Sequence, residues 1–173
     1  MGTYKKVFLS FDRIFWPPSE IMIGMVRDLN PNSHPLGNEL LFDNFWARND
    51  ITSIEAVLTG NAATWATGKD TVVIRDAVLD FMKDAMGLDT DLREWCTGCQ
   101  VTRWEEDRFS KGAFSCFTLG ALERHTEALR ASEWNGKLVF AGEATISEYE
   151  GSVHAALFSA SNAAKSVRQY LKL

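Results

Sequence analysis

The feature that most restricts the fold is the alternation of apolar and polar side chains in the first half of the chain. Residues 5–12 (KKVFLSFD) alternate in this way, which predicts a strand with one buried face. Shorter segments of the same kind cover residues 21–26, 40–47 and 54–58. Because the connections between them are of ordinary loop length, we predict a mixed, mostly antiparallel sheet.

A helix is predicted over residues 71–86. Apolar side chains recur there at intervals of three and four residues, with Asp70 in the N-cap position and Gly87 just past the end. Core packing explains such a stripe better than contact with a cofactor does. Residues 99–104 are expected to form another strand and residues 119–130 another helix. Together these elements predict an α+β fold.

The last part of the chain has the most distinctive local order. Residues 138–141 are a candidate for a short buried strand, and Gly142-Glu143, a loop and a helix opening at Ser152 follow it. The helix carries an apolar stripe over residues 153–171. A glycine permits close backbone approach, and a helix start presents unpaired N–H groups, so this segment suits a phosphate or another negatively charged group. On the pattern alone, an ordinary capped helix packed on a strand is the preferred interpretation.

Composition and charge exclude several classes of protein. The 173 residues are 46% hydrophobic and include 11 Phe and 6 Trp, enough for a sizeable core. The net charge of −5 argues against a nucleic-acid-binding surface, which needs clustered positive charge. No apolar run approaches the roughly 20 residues that span a bilayer. We therefore expect a folded protein with no nucleic-acid partner and no membrane span.

The three cysteines leave two interpretations open. Cys96 and Cys99 form a lone CxxC motif, and Cys116 is the third. Tetrahedral zinc needs about four ligands, and only Cys116 and His125 could complete a loosely spaced set. Ordinary thiols are therefore favoured over zinc or redox chemistry, and no metal site is expected. An odd number of cysteines without a secretory signal favours a reducing intracellular compartment.

Three ordered motifs cover the chain nearly from end to end. Residues 6–16 read KVFLSFDRIFW, residues 103–115 read RWEEDRFSKGAFS, and residues 140–156 run from FAGEAT to GSVHAA. Together they resemble the flavin-containing amine oxidases, in particular the branch of polyamine oxidases and lysine-specific histone demethylases. That branch typically reads K-V-x-L-x-F-D-R-x-F-W, then R-W-x-x-D, and finally F-A-G-E-x-T followed by V-H-G-A. Three motifs in the family's order are far more specific than any one alone.

The resemblance implies a catalytic role for one lysine. Lys6 falls on the residue that, in this family, holds a water beside flavin N5. On its strand we expect it to project with Phe8 and Ser10, away from the apolar face. A solvated lysine at a strand edge is the alternative. At such a surface site, Lys6→Met is expected to change the free energy of unfolding by less than about 0.5 kcal/mol.

The resemblance also implies seven residues that contact FAD. Trp104 and Phe114 match aromatic residues near the isoalloxazine ring and the substrate cavity, and Tyr149 falls in the loop beside the flavin. For each aromatic side chain, packing in the core is the competing interpretation.

The remaining four lie around the last helix start. Gly142 and Glu143 match residues that meet the pyrophosphate and ribose region, and Ser152 and Val153 match the helix start that faces the pyrimidine carbonyl. Many amine oxidases have a tyrosine at the Ser152 position, as half of an aromatic pair around the amine, so this chain departs from that arrangement. Ala155 also replaces the usual glycine of V-H-G-A.

The family's nucleotide-binding motif is not found in this sequence. That motif, a strand–GxGxxG–helix unit, seats the ADP half of FAD, and no GxGxxG occurs here. We therefore expect a partial substrate domain over residues 1–100 and a C-terminal FAD-binding segment over residues 101–173. The missing N-terminal FAD-binding half, or another protein chain, is the expected partner. Without it we expect weak FAD binding, an exposed apolar face and self-association.

The resemblance implies an oxidase of small amines. In a complete enzyme, FAD would oxidise a secondary or primary amine, such as a polyamine, to an imine, and hydrogen peroxide would form on reoxidation. The alternative is a non-catalytic subunit or interaction domain that has lost its nucleotide-binding half.

Overall fold

The computed structural model describes residues 1–27 and 34–172. The chain divides into two compact units, one formed by residues 3–113 and the other by residues 1–2 together with 114–173. The boundary expected after residue 100 divides a substrate domain from an FAD-binding segment, and it stays a prediction.

A five-stranded sheet is the frame of the first unit. Its strands are β1 Tyr4–Phe11, β2 Met22–Val26, β3 Glu39–Asn44, β4 Ser53–Thr59 and β5 Cys96–Val101. They lie in the order β2-β3-β4-β1-β5, and each of these pairings is antiparallel. The α+β class is confirmed, whereas the sheet expected to be mixed is antiparallel throughout its described strands.

Helix α3 covers one face of this sheet. It spans Thr71–Met86, the range expected from its apolar spacing, and Gly87 ends it in the left-handed conformation that glycine adopts without strain. The core joins its buried side chains to those of the strands: Ile74, Val78, Phe81 and Met82 with Val7, Leu9, Phe42, Ile54 and Leu58. Along β1, buried residues alternate with half-buried ones, so the opposite face of the strand is partly exposed.

Strand β3 ends sooner than the sequence predicted. The side-chain oxygen of the fully buried Asn44 accepts hydrogen bonds from Trp16 Nε1 at 2.8 Å and from the Trp46 N–H at 3.0 Å. The second bond caps helix α1, Phe45–Asn49, so residues expected to extend the strand form a helix instead. A further short helix, α2, spans Gly60–Ala66 after β4 and was not predicted.

The ends of two other predicted elements differ from those in the structure by four residues or fewer. The strand expected over residues 99–104 is β5, which begins at Cys96 and ends at Val101. The helix expected from residue 119 begins at Glu123, because Gly120 has a φ of 86°, outside the helical range.

The second unit is built around two helices. They are α4, Glu123–Arg130, and α5, Val153–Leu171, and both contact a 3₁₀ turn at Glu143–Thr145. The strand predicted over residues 138–141 was wrong, since Leu138 makes only an isolated bridge with Glu133. A strand needs a paired neighbour for its backbone groups, and the described residues of this unit offer none. No helix in the described part of the chain is long and apolar enough to cross a membrane.

The apolar stripe of α5 is exposed. Val153 is 83% exposed, Leu157 66% and Leu171 54%. The buried side of the helix is narrow and consists of Ala155 and Ser159. An amphipathic helix whose apolar side is not covered by the described part of its chain is typical of an interaction surface.

We expect this stripe to drive self-association of the chain. Leu157→Glu places a charge within the stripe, whereas Gln169→Glu adds the same charge on the side of α5 opposite Val153. Sedimentation velocity over a wide concentration range should show oligomers for the unaltered chain and for Gln169→Glu. Leu157→Glu should weaken association by about tenfold or more, equivalent to roughly 1.4 kcal/mol. A compact monomer at every concentration for the unaltered chain would contradict this expectation.

Candidate functional site

The eight predicted site residues are divided between the two units. Lys6 and Trp104 belong to the unit of residues 3–113. The other six belong to the second unit: Phe114, Gly142, Glu143, Tyr149, Ser152 and Val153.

Lys6 lies on the partly exposed face of β1. It shares this face with Phe8 and Ser10, whereas Val7 and Leu9 are fully buried on the other. The orientation expected from strand alternation is therefore confirmed. The side chain of Lys6 is 42% exposed.

A buried carboxylate holds the Lys6 side chain. Glu55 on β4 is only 2% exposed, and its Oε1 lies 2.9 Å from Lys6 Nζ. Because Phe8 is the residue opposite Glu55 in the β1–β4 register, Lys6 and Glu55 are diagonal neighbours on one face. The hydrogen bond with Glu55 raises the pKa of Lys6, since a carboxylate favours the charged ammonium. Sequence reasoning missed Glu55, whose only signal is a charge inside the run SIEAVL.

Trp104 lies on the loop that follows β5, with its side chain 52% exposed. Two hydrogen bonds bring the start of this loop beside β1: the Thr102 N–H donates to Lys6 O at 3.0 Å, and the Lys6 N–H donates to Thr102 Oγ1 at 2.9 Å. The Gly112 N–H donates to Trp104 O at 3.2 Å. The loop that carries Trp104 is thus attached directly to the backbone of Lys6.

Glu143 organises the loop before α5. Its carboxylate accepts hydrogen bonds from the Ser115 hydroxyl and N–H and from the Gly151 N–H at 2.7 Å. Burial by itself would raise the pKa of Glu143, but these bonds lower it below its usual value. The carboxylate therefore joins two segments of the unit. The cofactor contact implied for Glu143 by the resemblance stays a prediction.

Phe114 and Tyr149 border the same loop. The half-buried Phe114 ring lies against Gly151, where an added Cβ would come within 3.2 Å of the ring, and Gly151 has a φ of 73°. The Tyr149 side chain is 61% exposed, and its ring centroid lies 6.0 Å from that of His154 and 5.7 Å from that of Phe158. Only glycine suits position 151, and Tyr149 is the more accessible aromatic of the two.

The start of α5 is open and suits a group with negative charge. Ser152 caps the helix by accepting the Ala155 N–H at 3.3 Å, and Val153 is largely exposed. The first N–H groups of a helix have no acceptor within it, and the dipole makes this end positive. Gly142 is attached to the same helix through its N–H, which donates to Ser159 Oγ at 2.9 Å. An added Cβ on Gly142 would meet nothing within 4 Å, so the space beside its backbone is free.

Two of the three cysteines have the properties of ordinary thiols. Cys96 and Cys99 are both free and half-buried on β5. Burial raises the pKa of both thiols, that of Cys99 to about 11, so they are protonated and unreactive at neutral pH. No group of three or more His, Cys, Asp or Glu among the described residues is arranged to hold a metal ion.

One protein family matches nearly the whole chain. The sequence model of the family described as flavin containing amine oxidoreductase matches residues 1–168. A Drosophila melanogaster protein named "Possible lysine-specific histone demethylase 1" is 28% identical over 98% of this chain. Polyamine oxidase 4 of Oryza sativa subsp. japonica is also 28% identical over 98% of the chain, and lysine-specific histone demethylase 1 of Caenorhabditis elegans is 25% identical over 96%. The chain spans 19%, 32% and 21% of the lengths of these three relatives.

We expect Lys6→Met to be clearly destabilising, which corrects the small effect expected from the sequence. The substitution leaves the buried Glu55 carboxylate without its cation, at a cost of about 1–3 kcal/mol. The double variant Lys6→Met/Glu55→Leu removes both charges and should recover most of this loss. Urea denaturation at pH 7 measures both. Lys165→Met, at an exposed lysine of α5, is the control and should change stability by less than about 0.5 kcal/mol. A Lys6→Met effect no larger than this control would contradict the importance of the ion pair.

We expect Glu143 to make stability sensitive to acid. Its pKa is lower in the folded chain than the ordinary value, so its contribution is complete above the unfolded pKa of about 4.3 and is lost as the pH falls through the folded pKa. Glu143→Gln should lower the free energy of unfolding by about 1–3 kcal/mol at pH 7. The difference from the unaltered chain should shrink below about pH 4. Denaturation curves at both pH values, with the exposed Glu150→Gln as control, measure this. An equal loss at the two pH values would argue against a role for the carboxylate charge.

Proposed function

Because the chain belongs to the flavin containing amine oxidoreductase family, we propose that it provides the flavin-facing and substrate-facing residues of an FAD-dependent amine oxidase. The family recognised in the three sequence motifs is confirmed by the match over residues 1–168. The proposed substrate is a secondary or primary amine, such as a polyamine, which is oxidised to an imine. Polyamine oxidases among the relatives support this class of substrate.

The observation that carries the proposal is the placement of Lys6. Its side chain rises from the partly exposed face of the sheet, and Glu55 holds its ammonium at 2.9 Å. A fixed ammonium can hold a water molecule and stabilise negative charge that develops nearby, without the reorganisation that a mobile side chain needs. Bound FAD would supply the acceptor for the hydride of the amine carbon, and oxygen would reoxidise it to give hydrogen peroxide.

The start of α5 supports flavin binding in the second unit. We assign the N–H groups at Ser152 and Val153 to the negatively charged edge of the ring, because the positive end of the helix dipole favours such charge. Gly142 leaves its backbone accessible, and Glu143 stabilises the neighbouring loop by accepting a hydrogen bond from the Gly151 N–H. The aromatic residues that we assign to the ligand side are Trp104 in the first unit and Phe114 and Tyr149 in the second.

The alternative of a non-catalytic subunit is not favoured. Each relative reported above has the name of a demethylase or an oxidase. Because the chain spans between about a fifth and a third of their lengths, we propose that the residues seating the ADP half of FAD come from a further segment or a partner chain. Accordingly, we expect the 173-residue chain to bind FAD weakly, as measured by titration with flavin fluorescence.

The test uses a holo-protein in which this chain is combined with an FAD-binding half that contains GxGxxG. Lys6→Met should slow flavin reduction or reoxidation by about tenfold or more, equivalent to roughly 1.4 kcal/mol in the barrier. Stopped-flow absorbance follows both half-reactions. Because Lys6→Met also costs stability, the double variant Lys6→Met/Glu55→Leu should be measured beside it. We expect the double variant to recover most of the lost stability while its flavin reduction or reoxidation stays slow. Lys165→Met serves as the control and should leave both rates unaltered. Unchanged rates for Lys6→Met would show that Lys6 has no catalytic role.

A further inference from the structure

The residue beside Lys6 on β1 has the opposite environment. Lys5 is fully buried, and its ammonium forms an ion pair with Glu105, which is 16% exposed. Burial lowers the pKa of Lys5, while the nearby Glu106 opposes this effect. A buried lysine is retained in a fold only where it is paired, because an isolated ammonium in the interior is costly. The proposed function does not use Lys5, so its ion pair needs another explanation.

The partner of Lys5 belongs to the loop that carries Trp104. Glu105 directly follows Trp104 in the chain, and Arg103 directly precedes it. Arg103 donates to Lys69 O at 2.8 Å and to Glu106 Oε1 at 3.0 Å. The backbone is therefore tied down on both sides of the tryptophan.

The connection between α2 and α3 also forms hydrogen bonds with the loop that carries Trp104. Thr67 Oγ1 donates to Glu105 Oε1 at 3.3 Å, and the Gly68 N–H donates to Glu106 Oε1 at 3.3 Å. Trp104 lies within this network, and half of its side chain faces outward. With the backbone held at both neighbours, the remaining freedom of the indole is that of its own side-chain torsions.

We propose that the Lys5–Glu105 ion pair is a positioning device that holds Trp104 in the orientation in which it meets the flavin or the amine. This rests on the proposed function, which assigns Trp104 to the ligand side. The two adjacent lysines of β1 then have separate tasks, because strand alternation sends them to opposite faces. Lys6 acts at the exposed face, and Lys5 acts through the loop from the buried face.

Orientation accounts for the ion pair better than stability does. A buried ion pair often stabilises a fold no more than apolar side chains of similar volume do. The ion pair, however, determines which groups lie against each other. Apolar substitution of both residues therefore separates the two roles. It should preserve the stability of the fold and release the orientation of Trp104.

The experiment observes Trp104 directly in the chain labelled with 5-fluorotryptophan. The six tryptophans should give separate fluorine NMR signals, and Trp104→Phe identifies the signal of Trp104. Lys5→Met should shift or broaden this signal more than any of the other five. Lys6→Met is the matched control: it alters the neighbouring lysine on the opposite face and should leave the Trp104 signal unchanged. Lys5→Met/Glu105→Leu should unfold at the same urea concentration as the unaltered chain and still show the altered Trp104 signal.

The outcomes separate this inference from the proposed function. If Lys5→Met does not fold, Glu105→Gln removes the charge with little change of shape and is subject to the same criterion. A folded variant with an unaltered Trp104 signal overturns the positioning role. Because these measurements need no flavin, they do not depend on the kinetics of Lys6→Met, and unchanged kinetics there would overturn the catalytic role of Lys6 alone.

Discussion

The pairing of β1 with β4 on one side and β5 on the other is the constraint on which the first unit depends. A strand enclosed between two neighbours cannot rotate, so each of its side chains is committed to one face of the sheet. One face takes Val7 and Leu9 into the core beneath α3, and the other leaves Lys6 accessible. A slip of the register by a single residue would exchange these faces, burying Lys6 and exposing the core. The apolar contacts that stabilise the sheet therefore also determine where the proposed catalytic side chain lies.

The charges buried around this strand follow from the same geometry. Lys6 meets Glu55 on one face, and Lys5 meets Glu105 on the other. In both pairs at least one charged group is almost completely removed from water, so each needs its partner. Two adjacent lysines thus become chemically distinct, one with a raised pKa and the other with a lowered pKa. The difference comes from their surroundings: burial lowers the pKa of Lys5, and the hydrogen bond with Glu55 raises that of Lys6.

In the second unit, polar contacts stabilise the loops while large apolar side chains of the longest helix are exposed. Its loops are held together by polar contacts, above all those of the Glu143 carboxylate with Ser115 and Gly151. Its longest helix buries small side chains and leaves the large apolar ones outside. A unit organised in this way has a defined local structure around the helix start while its hydrophobic surface is still available for contacts. This combination agrees with a chain that spans only part of the length of its relatives.

The sequence by itself determined the elements whose signal is local. The spacing in residues 71–86 predicted α3 to the residue, alternation predicted β1 and the side on which Lys6 lies, and the motifs indicated the family. The tertiary structure decided what depends on neighbours distant in the chain. Residues 138–141 have the composition of a strand but lack a described partner to pair with, and the buried Asn44 at the end of β3 accepts a hydrogen bond from the distant Trp16. Glu55 and Glu105 lie about 50 and 100 residues from the lysines that they pair with. No local pattern could reveal these pairs, because a buried charge is stabilised by whichever group the fold places beside it.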